Sequence, residues 1–346
     1  MSLPPSAVSV FRAPALLLLA LGAANLTIWS VALAAFAGQP ALQATALLAY
    51  LFGLRHAVDA DHIAAIDNTV RKLMQEGRRP FATGFFFSAG HSTIVLLAVG
   101  VIVSATSALQ SRFASFRDIG GAIGTGVSAL FLLTIAFINL GVLKSVWQQF
   151  RRVRRGETIS DEQLDLLLGN RGLLARLLRP LFRLVSKSWH MFPIGFLFGL
   201  GFDTATEIGL FSLAASHSAD VSLWHILLFP LLFAAGMSLI DTLDSMLMVG
   251  AYGWAFVHPL RKLWYNLTIT LVSVLAALAI GSLEALGLIV DHLHLSGGGW
   301  DAVIALNESL AHFGYAVIAL FALSWLLSAA IYKLKRFDTR GGTPHA

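Results

Sequence analysis

The sequence predicts an all-α polytopic membrane protein with eight transmembrane helices. Three observations predict it. The 346 residues are 57% apolar and only 12% charged, whereas a soluble domain carries about 25% charged residues. The mean hydropathy is +0.75. Apolar stretches long enough to cross a hydrocarbon core, which takes about 20 residues, recur eight times along the chain. They lie at approximately 14–36, 43–67, 84–106, 119–143, 191–216, 224–250, 264–290 and 303–332. The whole chain, 1–346, reads as one transmembrane domain, with a basic loop at 144–190 between the fourth and fifth spans.

Lys and Arg set the orientation. Counting both types, 21 of the 24 fall at the N-terminus, in alternate loops and after the last span; the opposite loops hold only Arg112 and Arg117, and Arg55 is inside a span. The positive-inside rule then puts both termini in the cytoplasm, which an even number of spans also requires. The expected location is the cell membrane. The net charge of +5 is explained by this loop bias, so neither it nor the run Arg151-Arg152-Val153-Arg154-Arg155 argues for a nucleic-acid partner. With no cysteine, disulfides and thiolate metal sites are excluded.

The first span ends at Ala35-Phe36-Ala37, which resembles a leader-cleavage site. The apolar run is long for a leader and only Arg12 precedes it, so the span is kept. Its polar residue, Asn25, reads as a hydrogen-bonding contact between helices. The second span holds Arg55-His56-Ala57-Val58-Asp59-Ala60-Asp61-His62. An Asp or Arg at the centre of a membrane helix costs roughly 2.5–3.5 kcal/mol on insertion scales, which makes the stretch a functional candidate. Asp67, further on, is expected to form a helix-terminal salt bridge with Arg71. The third span carries His91 among small residues, and the fourth is glycine-rich at its start. In the loop, 161–184 alternates charged and apolar residues and suits an interfacial helix. The fifth span carries Asp203 and Glu207, the sixth Asp241 and Asp244, and the seventh only Glu284 near its outer end. His292 and His294 then lie in what reads as an ordinary solvated loop.

The chain also repeats itself. Phe52-Gly53-Leu54 recurs as Phe198-Gly199-Leu200, and Phe87-Ser88-Ala89-Gly90-His91-Ser92 as Phe233-Ala234-Ala235-Gly236-Met237-Ser238, both at one offset. Spans two to four therefore align with spans five to seven. A unit of three helices must reverse its sense in the second copy. Such 3+3 inverted repeats mark transporters, with the substrate site at the repeat interface near the midplane. Asp61 aligns with Glu207 and His91 with Met237.

The candidate metal-binding inventory is His56, Asp59, Asp61, His62, His91, Asp203, Glu207, Asp241 and Asp244. Imidazole and carboxylate without thiolate suit a divalent first-row cation, and the acids balance its charge in a low-dielectric site. On an ideal helix His56 and His62 stand about 120° apart. Asp59, one turn from each, lets the three cover one broad face. Asp61 points elsewhere, so either the helix is irregular, which Gly53 permits, or ligand and supporting roles divide.

These motifs resemble those of the nickel/cobalt transporter family. His56, then four residues, then Asp61-His62 is similar to its HX4DH signature. Gly90-His91-Ser92-Thr93, the stretch from Gly201 to Glu207 and the stretch from Gly236 to Asp244 resemble its motifs in the third, fifth and sixth spans. The resemblance implies a high-affinity permease importing Ni²⁺ or Co²⁺, with His56, Asp59, Asp61 and His62 essential. Members of that family differ at the position of Val58, where a small residue is expected to admit both ions. The expectation is a secondary transporter rather than an enzyme, needing no cofactor, with the metal ion and the bilayer as its partners. No P-loop motif is present. The alternatives are efflux of the same ions and an intramembrane metalloenzyme. Histidine-rich enzyme sites usually carry more than the three core imidazoles present here.

Overall fold

The computed structural model describes residues 7–104, 107–154, 185–200, 223–255, 259–310, 314–316, 318–320, 323, 326 and 327. No strand occurs among them. The helices are α1 (Ala7–Ala35), α2 (Pro40–His56), α3 (Ala60–Gln75), α4 (Thr83–Ser104), α5 (Ser107–Arg154), α6 (Met191–Phe198), α7 (Leu223–Ile226), α8 (Leu228–Ala255), α9 (Pro259–Leu293) and α10 (Gly299–Glu308). Five stretches are helical, long and apolar enough to cross a membrane: Ala13–Ala35, Thr83–Val101, Gly121–Gly141, Trp224–Gly253 and Thr270–Leu293. They correspond to the expected spans one, three, four, six and seven. Of the expected fifth span only α6 and the two residues after it are described, and of the eighth α10 and a few later residues. The interfacial helix expected at 161–184 lies outside the described residues.

The expected second span is not one helix. It ends as α2 at His56 and restarts as α3 at Ala60, and neither piece alone spans a bilayer. The turn between them tightens, because Val58 N–H donates to the Arg55 carbonyl and Asp59 N–H to the His56 carbonyl, each at 2.9 Å. Asp59 sits at the N-cap of α3 in an extended conformation, and its side chain caps nothing. Its carboxylate turns back to His56 instead. Asp61 lies in the first turn of α3, where the helix dipole favours an anion.

The long helix α8 is the hub against which α1, α2, α3 and α4 pack, while α4 also lies along α6 and α5 along α9. Phe229, Leu232, Phe233 and Met237 of α8 are fully buried. Close approach is bought by glycine: a Cβ on Gly53 would fall on the Phe233 carbonyl of α8, and one on Gly236 would stand 2.8 Å from the Tyr50 carbonyl of α2. Large apolar side chains on the outer faces, among them Leu16, Leu19, Leu26, Leu247 and Leu275, are exposed, as a lipid-facing belt requires. The glycine-rich start of the fourth span serves α5–α9 packing in part, since Gly126 approaches Leu288.

Helix α3 breaks the apolar pattern. It is almost entirely buried although it carries Asp67, Asn68, Thr69 and Arg71. Buried polar groups need partners, and they find them on α5, α8 and α9. Just past this stretch, Lys72 Nζ donates to the Val185 carbonyl at 2.5 Å, and Arg78 donates to the Ser186 carbonyl. Burial pulls the Lys72 ammonium below the usual lysine range, opposed by the nearby Glu76 carboxylate. These bonds tie the end of α3 to the segment that leads into α6.

The α2–α8 contact gives a direct test. Gly53→Ala is expected to destabilise the protein by about 1–3 kcal/mol, the range for overpacking, and to lower its thermal midpoint in detergent. Gly22→Ala in α1, where nothing lies within 4 Å of the added carbon, does not lower the midpoint, since alanine is the better helix former.

Candidate metal centre

The break between α2 and α3 places His56 at the end of one helix and His62 in the first turns of the next. Their ring centroids lie 4.7 Å apart. From α4, His91 comes within 4.9 Å of each. All three are buried, and one nitrogen from each lies within 4.8 Å of the others. The fixed 120° of a continuous helix is thus replaced by a turn that brings both α2 and α3 imidazoles to one point.

His56 Nε2 and His91 Nε2 are 3.1 Å apart. Two imidazole nitrogens bound at about 2.1 Å to one ion and at right angles stand about 3.0 Å apart, so this pair already has the spacing of adjacent ligands. Carboxylates stand behind the rings. Asp59 Oδ2 is 2.9 Å from His56 Nδ1. Asp241 Oδ2, from α8, is 3.4 Å from His62 Nδ1, close enough for attraction but not aligned as a hydrogen bond. A carboxylate at Nδ1 favours the tautomer that leaves Nε2 with its lone pair free and raises its basicity. His62 Nε2 has no hydrogen-bond partner among the described residues and is fully buried. An imidazole nitrogen in that condition suits a ligand. Two aromatic walls enclose the cluster: Phe87 of α4 meets His62 edge-on at 4.8 Å, and Phe233 of α8 tilts against His56 at 5.5 Å.

The remaining candidates are placed as follows. Asp61 is half-buried, and its Oδ1 accepts from the His62 N–H at 2.9 Å. Asp244, one turn beyond Asp241 on α8, is half-buried with Oδ2 unpartnered. Asp203 and Glu207 lie outside the described residues. Asn25 donates to the Leu21 carbonyl at 2.9 Å and to the Ala235 carbonyl of α8 at 3.4 Å, which is the helix-to-helix contact expected of it. Arg55 is exposed.

Asp67 departs from expectation. It does not sit at a solvated helix end. It is fully buried, accepting from Tyr252 Oη at 2.9 Å and from Ser273 Oγ at 2.7 Å. Arg71 is 1% exposed and donates to Thr270 Oγ1 at 2.9 Å and Asn68 Oδ1 at 2.7 Å. Asn139 of α5 donates to the same Asn68 oxygen at 2.8 Å. The reason is the break itself: restarting at Ala60, α3 carries its polar second half into the bundle. Sequence reasoning missed Tyr252, Ser273, Thr270 and Asn139, which are single polar residues in apolar runs. It also missed the walls Phe87 and Phe233, although both belong to the repeated segments quoted above.

An all-helical membrane scaffold with a buried three-imidazole cluster backed by carboxylates defines a class: membrane proteins equipped to handle a divalent transition-metal ion. The comparisons are narrower. Residues 42–331 match the NicO family model, described as high-affinity nickel-transport protein, and the chain belongs to that family. It is 54% identical over 329 residues to the high-affinity nickel transport protein of Cupriavidus necator, covering 94% of both chains. It is 58% identical over 326 residues to the hydrogenase nickel incorporation protein HupN of Bradyrhizobium diazoefficiens, covering 92% of this chain and 84% of that one. It is also 41% identical over 298 residues to the cobalt transport protein NhlF of Rhodococcus rhodochrous, covering 84% of each. No solved structure matches the chain.

Two measurements follow from this geometry. In equilibrium dialysis of the purified protein, His91→Ala is expected to abolish Ni²⁺ binding. Asp241→Asn weakens it by roughly tenfold to a hundredfold, as loss of a supporting carboxylate does. Separately, Tyr252→Phe removes a donor from buried Asp67 and lowers thermal stability by about 1–3 kcal/mol.

Proposed function

We propose that the protein is a secondary transporter that imports Ni²⁺, Co²⁺ or both across the cell membrane through this centre. The observation that carries the reading is the imidazole cluster at a helix break inside the membrane. Transporters place their cation sites where helices are interrupted near the midplane. His56, His62 and His91 supply nitrogen ligands. Asp59, Asp241 and Asp244, with Asp61 and the acids Asp203 and Glu207 of the fifth span, supply the negative charge that a dehydrated divalent ion needs. The family membership and the relatives named for nickel and for cobalt support these two ions as cargo.

The path is built on eight spans, with spans two to four and five to seven as inverted copies. The packing supports this. Phe87 and Phe233, equivalent in the repeat, wall the cluster from α4 and α8. The glycine contacts also pair across it. Gly90 of α4 lies against Phe192 and Phe196 of α6, and its equivalent Gly236 of α8 lies against Tyr50 and Leu54 of α2. Rocking of one copy against the other around a fixed centre would expose it to each side in turn. Both termini and the loop 144–190 face the cytoplasm in this arrangement.

Uptake of ⁶³Ni²⁺ into proteoliposomes tests the reading. An inside-negative potential should raise the initial rate, since each inward charge gains about 2.3 kcal/mol per 100 mV. His62→Ala should abolish uptake at normal protein levels, and Co²⁺ should compete. Normal uptake in His62→Ala would remove the cluster from the mechanism. Preferential release of preloaded metal would make the protein an exporter.

A further inference from the structure

We propose that Gly314, in the last span, is a positioning residue of the metal centre, holding the turn between α2 and α3 at the height that brings His56 and His62 together. The inference rests on reading the imidazole cluster as the transport site.

Gly314 is remote in sequence from every metal-site candidate. It is buried, and its backbone lies directly on the helix break. A Cβ built on it would fall on the Val58 carbonyl oxygen and stand 3.1 Å from the Asp59 Cα. No hydrogen bond among the described residues reaches that carbonyl. In lipid such a group must be covered by protein. A glycine Cα–H is the one backbone group without a side chain that can lie against it, as a weak C–H···O contact. Any other residue would push the carbonyl away.

The displacement would be transmitted at once. Val58 and Asp59 form the turn, and Asp59 holds His56 Nδ1 at 2.9 Å. On the other side, α2 cannot yield, because Gly53 already touches the Phe233 carbonyl of α8. His56 is therefore set between two glycine contacts, one to α8 and one to the last span. Moving the turn shifts Asp59 and the start of α3 relative to His91, and so changes the 3.1 Å spacing between His56 Nε2 and His91 Nε2. Metal geometry tolerates little of this, since displacements of about 1 Å at a reacting centre cost up to a hundredfold.

A glycine that merely allowed helix packing would affect how much protein accumulates, and not the properties of each copy. The test therefore reads KM and ion preference. Gly314→Ala, Gly314→Val and the control Gly22→Ala are purified and reconstituted, and ⁶³Ni²⁺ uptake is measured per copy with Co²⁺ as competitor. The expected result for Gly314→Ala is a KM raised roughly tenfold to a hundredfold, the range seen when a ligand's support is lost, with Vmax per copy largely kept. The Co²⁺/Ni²⁺ preference changes, Gly314→Val is worse, and Gly22→Ala matches wild type. A wild-type KM and wild-type ion preference in Gly314→Ala overturn the proposal. If that variant fails to accumulate, second-site suppressors restoring nickel-dependent growth decide: suppressors clustered at 52–62 support it, and suppressors scattered through the bundle overturn it. If wild type itself shows no uptake, the transport reading fails. The Kd for Ni²⁺ of wild type and Gly314→Ala then decides the positioning role, equal values overturning it.

Discussion

A helix interrupted inside the bundle, between α2 and α3, is the constraint on which the rest of this structure depends. Between His56 and Ala60 the backbone leaves regular helix while still inside the bundle. Lipid offers no partner for the polar groups this releases. The protein must therefore enclose the break on every side, and the packing is arranged to do so. Helix α8 covers one side where Phe233 meets Gly53 of α2, α4 brings His91 and Phe87, and Gly314 lies on the Val58 carbonyl. Small residues appear at these contacts because only they let backbones approach so closely.

The same enclosure gives the imidazoles their chemistry. In a region of low dielectric, a bare divalent ion is tolerated only if negative charge is near, and a bare carboxylate only if positive charge or donors are near. The proposed centre meets both needs with Asp59 behind His56 and Asp241 behind His62. A carboxylate beside Nδ1 of His56 and of His62 favours the tautomer whose Nε2 lone pair is free. Further along α3, Asp67 is held by Tyr252 and Ser273, and Asn68 by Arg71 and Asn139. That network joins α3 to α5, α8 and α9, so the helix that begins at the centre is anchored along its length. Two hydroxyls and a neighbouring guanidinium let one carboxylate stay buried far from water.

Much of this was legible in the chain. Composition and span length alone gave an all-helical membrane protein, because the bilayer permits few alternatives. The ionisable residues near His56, His91 and Asp241 stood out, because lipid makes such groups costly enough to need a reason. Other features were illegible. Tyr252, Ser273 and Asn139 are isolated polar residues, common in membrane helices, and nothing in their neighbours says that they converge. Asp67 was misread as a helix-end residue: its attraction to Arg71, four residues on, is present, but the pair is buried in the bundle, which that spacing does not reveal.

The sequence by itself determined which groups must be shielded from lipid and which ion chemistry they suit, since both follow from residue type and hydrophobic length. Only the tertiary structure decided where they meet. A helical wheel keeps His56 and His62 about 120° apart. The turn at Val58 and Asp59 brings their rings within 4.7 Å. That turn contains no Pro or Gly to announce it. It persists because contacts from distant helices enclose it, and contact between segments so far apart in the chain is a property of the packed bundle, which no local stretch encodes.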